Sequence, residues 1–146
     1  MAGKLSLVSD GVRAKLEAAR VARLATMNAT LGPHLVPICF AYHSAVFYSA
    51  IDRKPKRVAP GRLERLKNIE HNSQVALLVD EYDEDWTRLW YVLVRGNAEM
   101  VSAVAERNRA LELLRAKYPQ YAAGMLADDA PVIRITPERI TVWGNF

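Results

Sequence analysis

The chain is built mostly from short segments with the pattern of β-strands, which follow one another with few helical stretches between them. The candidate strands cover residues 21–26, 34–42, 45–51, 75–79, 86–101, 132–135 and 139–143. Mostly sequential strands with helices set between them are typical of an antiparallel barrel. The sequence contains neither regularly alternating strands and helices nor the GxGxxG motif of dinucleotide-binding α/β folds. We therefore predict a mainly β fold with peripheral α-helices, an antiparallel barrel of six or seven strands.

The same pattern predicts how the elements are arranged. Helices are expected at residues 10–20, 61–71, 102–118 and 119–127. The first three candidate strands are joined by short turns and are expected to form an antiparallel meander. Pro37 lies within the second strand and predicts an edge or bulge position, because proline has no N–H to donate. Gly96 and Asn97 interrupt the long strand region, where they predict a β-bulge.

Length and composition limit where the protein could act. With 146 residues the chain has the size of one domain, and we treat residues 1–146 as a single domain. Cys39 is the only cysteine, so no intrachain disulfide can form, and no Cys/His spacing indicates a metal site. The sequence shows neither a signal peptide nor about 18 consecutive apolar residues. The predicted location is therefore the cytoplasm, without a membrane partner.

The positive charge of the chain is concentrated in one place. Residues 53–67 contain seven Lys or Arg residues against the single acid Glu64, whereas the rest of the chain has a slight excess of acids. A compact basic patch suits a small anion such as a phosphorylated cofactor, because nucleic acids usually contact a broader basic surface. The alternative at this point is a solvated charged loop.

The basic segment Arg53–Arg57 directly follows a candidate strand. Its Lys54, Lys56 and Arg57 can form charge-assisted hydrogen bonds to phosphate oxygens, and a proline among them stiffens the turn. Ser49, near the end of the strand, can add a hydroxyl donor. The basic segment is therefore the candidate anion-binding site.

Two other kinds of side chain could take part in chemistry. His34 begins the second candidate strand, beside the proposed site, whereas His43 and His71 are scattered and fit ordinary surface or strand positions. Trp86 and Trp90 share a face if their strand is continuous. Such tryptophans usually belong to a core or to a dimer interface, and a planar cofactor ring would also stack on them.

Several segments together resemble a known protein family. They are Arg23–Thr26, Gly32–Pro37, Tyr48–Ala50, Lys54–Arg57, Leu66–Ile69, Val75–Asp80 and Trp86. In this combination the chain is similar, from about Val21 to its C-terminus, to the pyridoxamine 5′-phosphate oxidase-like superfamily. The Lys-Pro-Lys-Arg segment and the Leu-x-Asn-Ile helix resemble more narrowly the branch that uses the deazaflavin coenzyme F420.

This resemblance implies a split β-barrel of the FMN-binding kind that forms a homodimer, with two equivalent cofactor sites at the subunit interface. It also implies that Lys54, Lys56 and Arg57 hold the cofactor phosphate. Further implied cofactor contacts are Ser49 and Ala50 at the phosphate end, His34, Val36 and Pro37 along the ring, and Trp86, Arg88 and Trp90 in the region that closes the site, from either subunit.

The resemblance further implies an oxidoreductase. Reduced F420 would transfer a hydride from its C5 to an unsaturated small-molecule substrate, while the protein positions the ring and excludes water. This chemistry requires no nucleophilic side chain. A proton donor is needed, and the sequence leaves His34, Tyr48 and bulk water as candidates.

Three alternatives stay open. The first is an FMN-binding oxidoreductase of the same superfamily, because FMN offers a similar phosphate. The second is a non-catalytic protein that carries a flavin or haem. The third, a nucleic-acid-binding protein, is disfavoured because the basic patch is compact and no nucleic-acid motif accompanies it.

Overall fold

The computed structural model describes residues 8–54 and 63–146, and these residues are organised around one β-sheet. The strands are β1 (Ala22–Asn28), β2 (Gly32–Ile38), β3 (Ala41–His43), β4 (Val46–Ala50), β5 (Gln74–Glu81), β6 (Trp90–Met100) and β7 (Val132–Gly144). The helices are α1 (Asp10–Ala18), α2 (Glu64–His71) and α3 (Val104–Lys117). A 3₁₀ turn (Trp86–Arg88) precedes β6, and a short helical turn (Tyr121–Met125) follows α3.

The order of the strands closes the sheet into a barrel. Neighbouring strands are antiparallel, in the order β2-β1-β5-β6-β7-β4-β3. The outermost strands, β2 and β3, are consecutive in the chain and separated only by Cys39 and Phe40. Because successive Cα atoms are about 3.8 Å apart, the two edges of the sheet come within about 11 Å of each other at this corner. The predicted mainly β antiparallel barrel with peripheral helices is confirmed.

The predicted meander of the first three strands is wrong. Residues 34–42 were expected to form one strand, but the chain leaves the sheet after Ile38 and re-enters it at Ala41, on the opposite edge. β1 and β2 form one hairpin, and β3 and β4 form another at the far edge. The chain bends here because it has to turn the corner at which the barrel closes.

Two local predictions about the sheet are confirmed. Pro37 lies on β2, which is an edge strand, so the missing N–H leaves no gap in the ladder. The register of β6 against β7 shifts between Arg95 and Gly96, where the sequence predicted a bulge, and the extra residue is Glu138 of β7. A Cβ at Gly96 would lie 2.2 Å from the carbonyl oxygen of Thr136, so only glycine fits this close approach. Residues 132–135 and 139–143, which the sequence left open as one strand or a strand pair, form the single strand β7, which continues through Pro137.

Two apolar clusters hold the fold together. The barrel interior is filled by alternate strand residues, among them Leu24, Leu77, Val92, Val94 and Ile133. The second cluster packs α3 against the other face of β3, β4 and β7, with Leu111, Leu114, Tyr118 and Val132 at its centre. The Tyr118 hydroxyl accepts a hydrogen bond from the backbone N–H of Phe40 (3.1 Å) and donates to the carbonyl of Arg20 (2.9 Å). This cluster therefore fixes the end of α3 beside the corner between β2 and β3.

Across residues 8–54 and 63–146, none of the helices combines the length and the hydrophobicity needed to cross a bilayer.

Candidate functional site

A cavity of about 390 Å³ lies at the corner where the barrel closes. The ends of β2 and β4 form two of its sides, and α2 and the turn after α3 form the others. Four residues of the predicted site line it: Pro37, Ser49, Ala50 and Lys54. Lys56 and Arg57, which were also predicted to hold the cofactor phosphate, lie outside the described residues. The structure therefore brings the strand-end residues of the predicted site together around one cavity.

Ser49 is buried and ties β4 to the corner. Its hydroxyl donates a hydrogen bond to the carbonyl of Cys39 (2.9 Å), so its proton is directed towards the protein backbone. The sequence predicted a hydroxyl donor to phosphate at this position. In the structure Ser49 instead orients Cys39, which also lines the cavity.

A buried carboxylate in the cavity was missed by the sequence analysis. Asp52 is only 8% exposed. It accepts hydrogen bonds from the backbone N–H of Lys54 (3.1 Å) and from the Tyr121 hydroxyl (2.5 Å), and it forms an ion pair with the Lys54 ammonium. Burial, followed by the hydrogen bond to Asp52, raises the pKa of Tyr121 above its ordinary value. Tyr121 therefore stays protonated at neutral pH and acts as a donor.

The turn after α3 is fastened to the segment that carries Lys54. The backbone N–H of Arg53 donates to the carbonyl of Met125 (2.9 Å), and its guanidinium donates to the carbonyl of Gly124 (3.1 Å). The Lys54 ammonium lies 5.5 Å from the centre of the Tyr121 ring. These contacts hold Lys54 at the mouth of the cavity and Tyr121 at its wall.

Arg65 of α2 is the second residue of the cavity lining that the sequence analysis missed. Its half-buried guanidinium lines the cavity, and its Nε has no hydrogen-bond partner among the described residues. Burial lowers the pKa of Arg65, and the nearby Asp52 opposes this effect. Arg65 was not singled out from the sequence. Its membership of the basic stretch 53–67 was the signal that could have identified it.

The charged lining of the cavity gives it a positive surplus among the described residues. Arg20, Lys54 and Arg65 contribute three cations, and Asp52 contributes one anion. The Arg20 guanidinium lies 5.1 Å from the centre of the Tyr118 ring, which holds it beside the corner. An orphaned guanidinium nitrogen and two further cations suit the oxygens of a phosphate group.

His34 and Val36 lie further along β2, and the cavity lining does not include them. Both point to the side of the strand that faces the core, opposite to Pro37. The Nε2 atom of His34 is 3.9 Å from a carboxylate oxygen of Glu64, and its buried Nδ1 has no partner among the described residues. Pro37 is three positions beyond His34, which is about 10 Å along a strand.

Tyr48, the other candidate proton donor, faces away from the cavity. It is adjacent to Ser49 on β4 and therefore points to the opposite face of the sheet, into the second apolar cluster. Its hydroxyl donates to the carboxylate of Glu106 (2.8 Å). Burial and this hydrogen bond raise the pKa of Tyr48 to about 12. The tyrosine that the structure places in the cavity is Tyr121.

Trp86, Arg88 and Trp90 do not line this cavity in the single chain. Trp86 is 71% exposed and lies on the 3₁₀ turn with Arg88, which forms an ion pair with Asp85 (3.7 Å). Trp90 is buried, and its indole N–H donates to the carboxylate of Glu81 (3.2 Å). The expectation that the two tryptophans share a strand face is wrong, because Trp86 precedes the strand.

Known proteins share both the sequence pattern and the fold of this chain. The sequence model of the pyridoxamine 5′-phosphate oxidase family matches residues 8–144, which is nearly the whole chain. A search of curated protein sequences finds no significant match.

Solved structures with the same fold come from several bacteria. A conserved hypothetical protein from Mycobacterium tuberculosis has a TM-score of 0.75 at 18% identity, covering 94% of this chain and 86% of that chain. A proposed pyridoxamine 5′-phosphate oxidase from Listeria innocua has a TM-score of 0.69 at 20% identity, covering 93% and 98%. The haem storage protein HutZ from Vibrio cholerae has a TM-score of 0.71 at 17% identity, covering 92% and 94%. At these identities the likeness establishes the fold alone.

Proposed function

Because the chain belongs to the pyridoxamine 5′-phosphate oxidase family, we propose that it is an oxidoreductase that binds coenzyme F420 with its phosphate in the cavity at the corner of the barrel. The reaction is hydride transfer between the deazaflavin and an unsaturated small molecule. One observation carries this proposal: the half-buried guanidinium of Arg65 lines the cavity with an Nε that has no partner among the described residues. A phosphate oxygen is the acceptor that suits this donor best.

The residues of the cavity fit a phosphorylated cofactor. Arg65 and Lys54 offer charge-assisted hydrogen bonds from two directions, and Arg20 adds a third positive charge. Pro37 and Ala50 add apolar side chains to the lining. The choice of F420 rests on the resemblance of residues 54–57 and 66–69 to the F420-using branch.

A homodimer is part of the proposal. The cavity is at the protein surface, and a second subunit would cover the remainder of a cofactor whose phosphate is held there. Large apolar side chains are exposed on the strands, which supports burial against a partner. They include Met27, Leu35, Val142 and Trp143.

The cofactor supplies the hydride chemistry when it is bound. The side chains of this chain bind and orient it. Arg65 and Lys54 hold the phosphate end, and the residues at the corner between β2 and β3 limit how deeply the cofactor enters the cavity. Tyr121 keeps its proton and donates a hydrogen bond to Asp52, which holds Lys54 in place. No covalent intermediate with a protein side chain is required.

FMN is the second candidate cofactor. The family match favours a flavin-type cofactor, and the phosphate of FMN suits Arg65 and Lys54 in the same way. Haem is supported less, because the described residues that line the cavity include no histidine to ligate the iron.

The proposal is tested by parallel fluorescence titrations of F420 and FMN into wild-type protein and two variants of α2. Arg65→Ala is expected to weaken F420 binding by about 10- to 100-fold, the worth of a hydrogen bond between charged partners. Lys67→Ala is the matched control, because Lys67 is exposed on the same helix. It should change the affinity by less than about twofold, as expected for an exposed surface charge.

Two results would count against the proposal. If wild-type protein binds FMN and not F420, the cofactor assignment is wrong. If Arg65→Ala and Lys67→Ala bind F420 equally well, the cavity is not the phosphate site.

A further inference from the structure

A carboxylate is an unexpected component of a phosphate-binding cavity. Asp52 lines the cavity together with Arg65, and its side chain is only 6% exposed. Its hydrogen bonds from Tyr121 and from the backbone of Lys54 hold its oxygens in place. A bound anion therefore meets a fixed negative charge beside the cations that attract it.

The position of Asp52 is determined by elements on both sides. Asp52 follows β4 closely, and the Tyr121 hydroxyl reaches it from the turn after α3 (2.5 Å). This turn is itself anchored, since the backbone N–H of Arg53 donates to the carbonyl of Met125 (2.9 Å). The carboxylate cannot swing away from an arriving ligand without breaking these contacts.

Coulomb repulsion between Asp52 and a ligand grows with the charge of the ligand. A phosphomonoester carries close to two negative charges at pH 7, because its second pKa is about 6. A phosphodiester carries one. A fixed carboxylate therefore disfavours a monoester about twice as strongly, in free energy, as it disfavours a diester at the same place. It also forms an ion pair with Lys54, which lowers the positive potential available to either ligand.

We propose that Asp52 is a specificity-determining residue that biases this cavity towards ligands joined through a phosphodiester and against those ending in a phosphomonoester. The proposal rests on the assignment of the cavity as the cofactor phosphate site. It specifies the class of ligand that the site prefers. F420 carries a phosphodiester, whereas FMN ends in a phosphomonoester.

The test uses two flavins that share the same ring system and differ at the phosphate. FMN is the monoester, and riboflavin 4′,5′-cyclic phosphate is the diester. Their dissociation constants are measured by flavin fluorescence at about pH 7.5, where FMN is a dianion. The proteins are wild type, Asp52→Asn and Tyr121→Phe. Asparagine is isosteric with aspartate and keeps the oxygen that accepts from Tyr121. Asp52→Ser is a second neutral variant if Asp52→Asn impairs folding.

Asp52→Asn is expected to bind the cyclic diester about fivefold more tightly than wild type does, and FMN about 25-fold more tightly. The repulsion energy is about twice as large for two negative charges as for one, so the factor in affinity is about the square. Tyr121→Phe removes the hydrogen bond and leaves the charge, so the ratio of the two dissociation constants should stay within about twofold of wild type.

The proposal is overturned if neutralising Asp52 lowers the dissociation constants of both flavins by the same factor, or if the neutral variant binds no FMN. It is overturned as well if Tyr121→Phe shifts the ratio as much as Asp52→Asn does. Failure of the cofactor assignment gives a different result. In that case wild-type protein does not bind F420, but neutralising Asp52 still increases the affinity for FMN by a larger factor than the affinity for the cyclic diester.

Discussion

Replacing Lys117 with methionine is expected to stabilise the fold near neutral pH. The Lys117 ammonium lies 3.9 Å from the centre of the Phe40 ring and has no hydrogen-bond partner among the described residues. Burial lowers the pKa of Lys117 from 10.5 to about 8, and the neighbouring Arg20 adds to this effect, while Cys39 and Glu17 oppose it. Lys117 is therefore charged at pH 7 in an environment that disfavours its charge.

The size of the effect follows from the two pKa values. A fall from 10.5 to about 8 corresponds to about 3 kcal/mol of free energy that the charged form loses on folding. Lys117 is only half-buried, so solvent screening reduces this penalty to roughly half. The attraction between the ammonium and the Phe40 ring offsets a further ~0.5–1 kcal/mol. Lys117→Met is therefore expected to raise the free energy of unfolding by about 1 kcal/mol at pH 7.

The sign of the pH dependence is fixed by the direction of the pKa change. Between pH 8 and pH 10.5 the unfolded chain binds more protons at Lys117 than the folded chain does. The wild-type free energy of unfolding therefore rises with pH in this window, relative to the methionine variant. Below pH 8 the penalty is constant. The advantage of Lys117→Met should be complete at neutral pH and should disappear as the pH approaches 10.5.

The assay is urea unfolding of both proteins from about pH 7 to about pH 10.5, with Lys67→Met as the control because Lys67 is exposed. The control should show no pH-dependent difference from wild type. If Lys117→Met is no more stable than wild type at pH 7, or if its advantage grows with pH, burial does not disfavour the Lys117 charge in the way described.

Two further substitutions test the fold around the barrel. Gly96→Ala places a Cβ 2.2 Å from the carbonyl oxygen of Thr136, and this backbone clash should lower the free energy of unfolding by about 2 kcal/mol or more. Tyr118→Phe leaves the buried N–H of Phe40 without the hydroxyl that accepts from it, which should cost about 1–3 kcal/mol. Thermal unfolding followed by circular dichroism measures both, and an unchanged Tm in either variant contradicts the packing described for it.

The local features of the fold were predictable because their causes are local. The proline without an N–H identified an edge strand at Pro37, and the glycine at position 96 identified the bulge. Ser9 accepts a hydrogen bond from the backbone N–H of Val12 (3.2 Å), which caps α1 at its N-terminus. The hairpin of β1 and β2 follows from its turn, in which the Asn28 side chain accepts from the backbone N–H of Leu31 (2.9 Å).

The long-range features were not predictable from these patterns. Nothing in residues 34–42 indicates that the chain crosses from one edge of the sheet to the other, because this crossing depends on barrel closure. The sequence left residues 132–135 and 139–143 open as one strand or a strand pair, and only the pairing with β6 shows one continuous strand, in which Glu138 is the extra residue beside Pro137.

The candidate site was predictable only where its residues are close in sequence. The strand-end residues Ser49 and Lys54 are close in sequence and meet at the cavity, as expected. Asp52, Arg65 and Tyr121 come from three separate parts of the chain, and the packing of α2 and the turn after α3 against the end of β4 brings them together.

We propose that the cavity at the corner of the barrel holds the phosphate of a deazaflavin cofactor. A crystal structure of the full chain grown with F420 would show where the phosphate binds. Electron density for the phosphate is expected within hydrogen-bonding distance of the Arg65 guanidinium and the Lys54 ammonium. Density for F420 elsewhere on the protein, with this cavity containing only solvent, would contradict it.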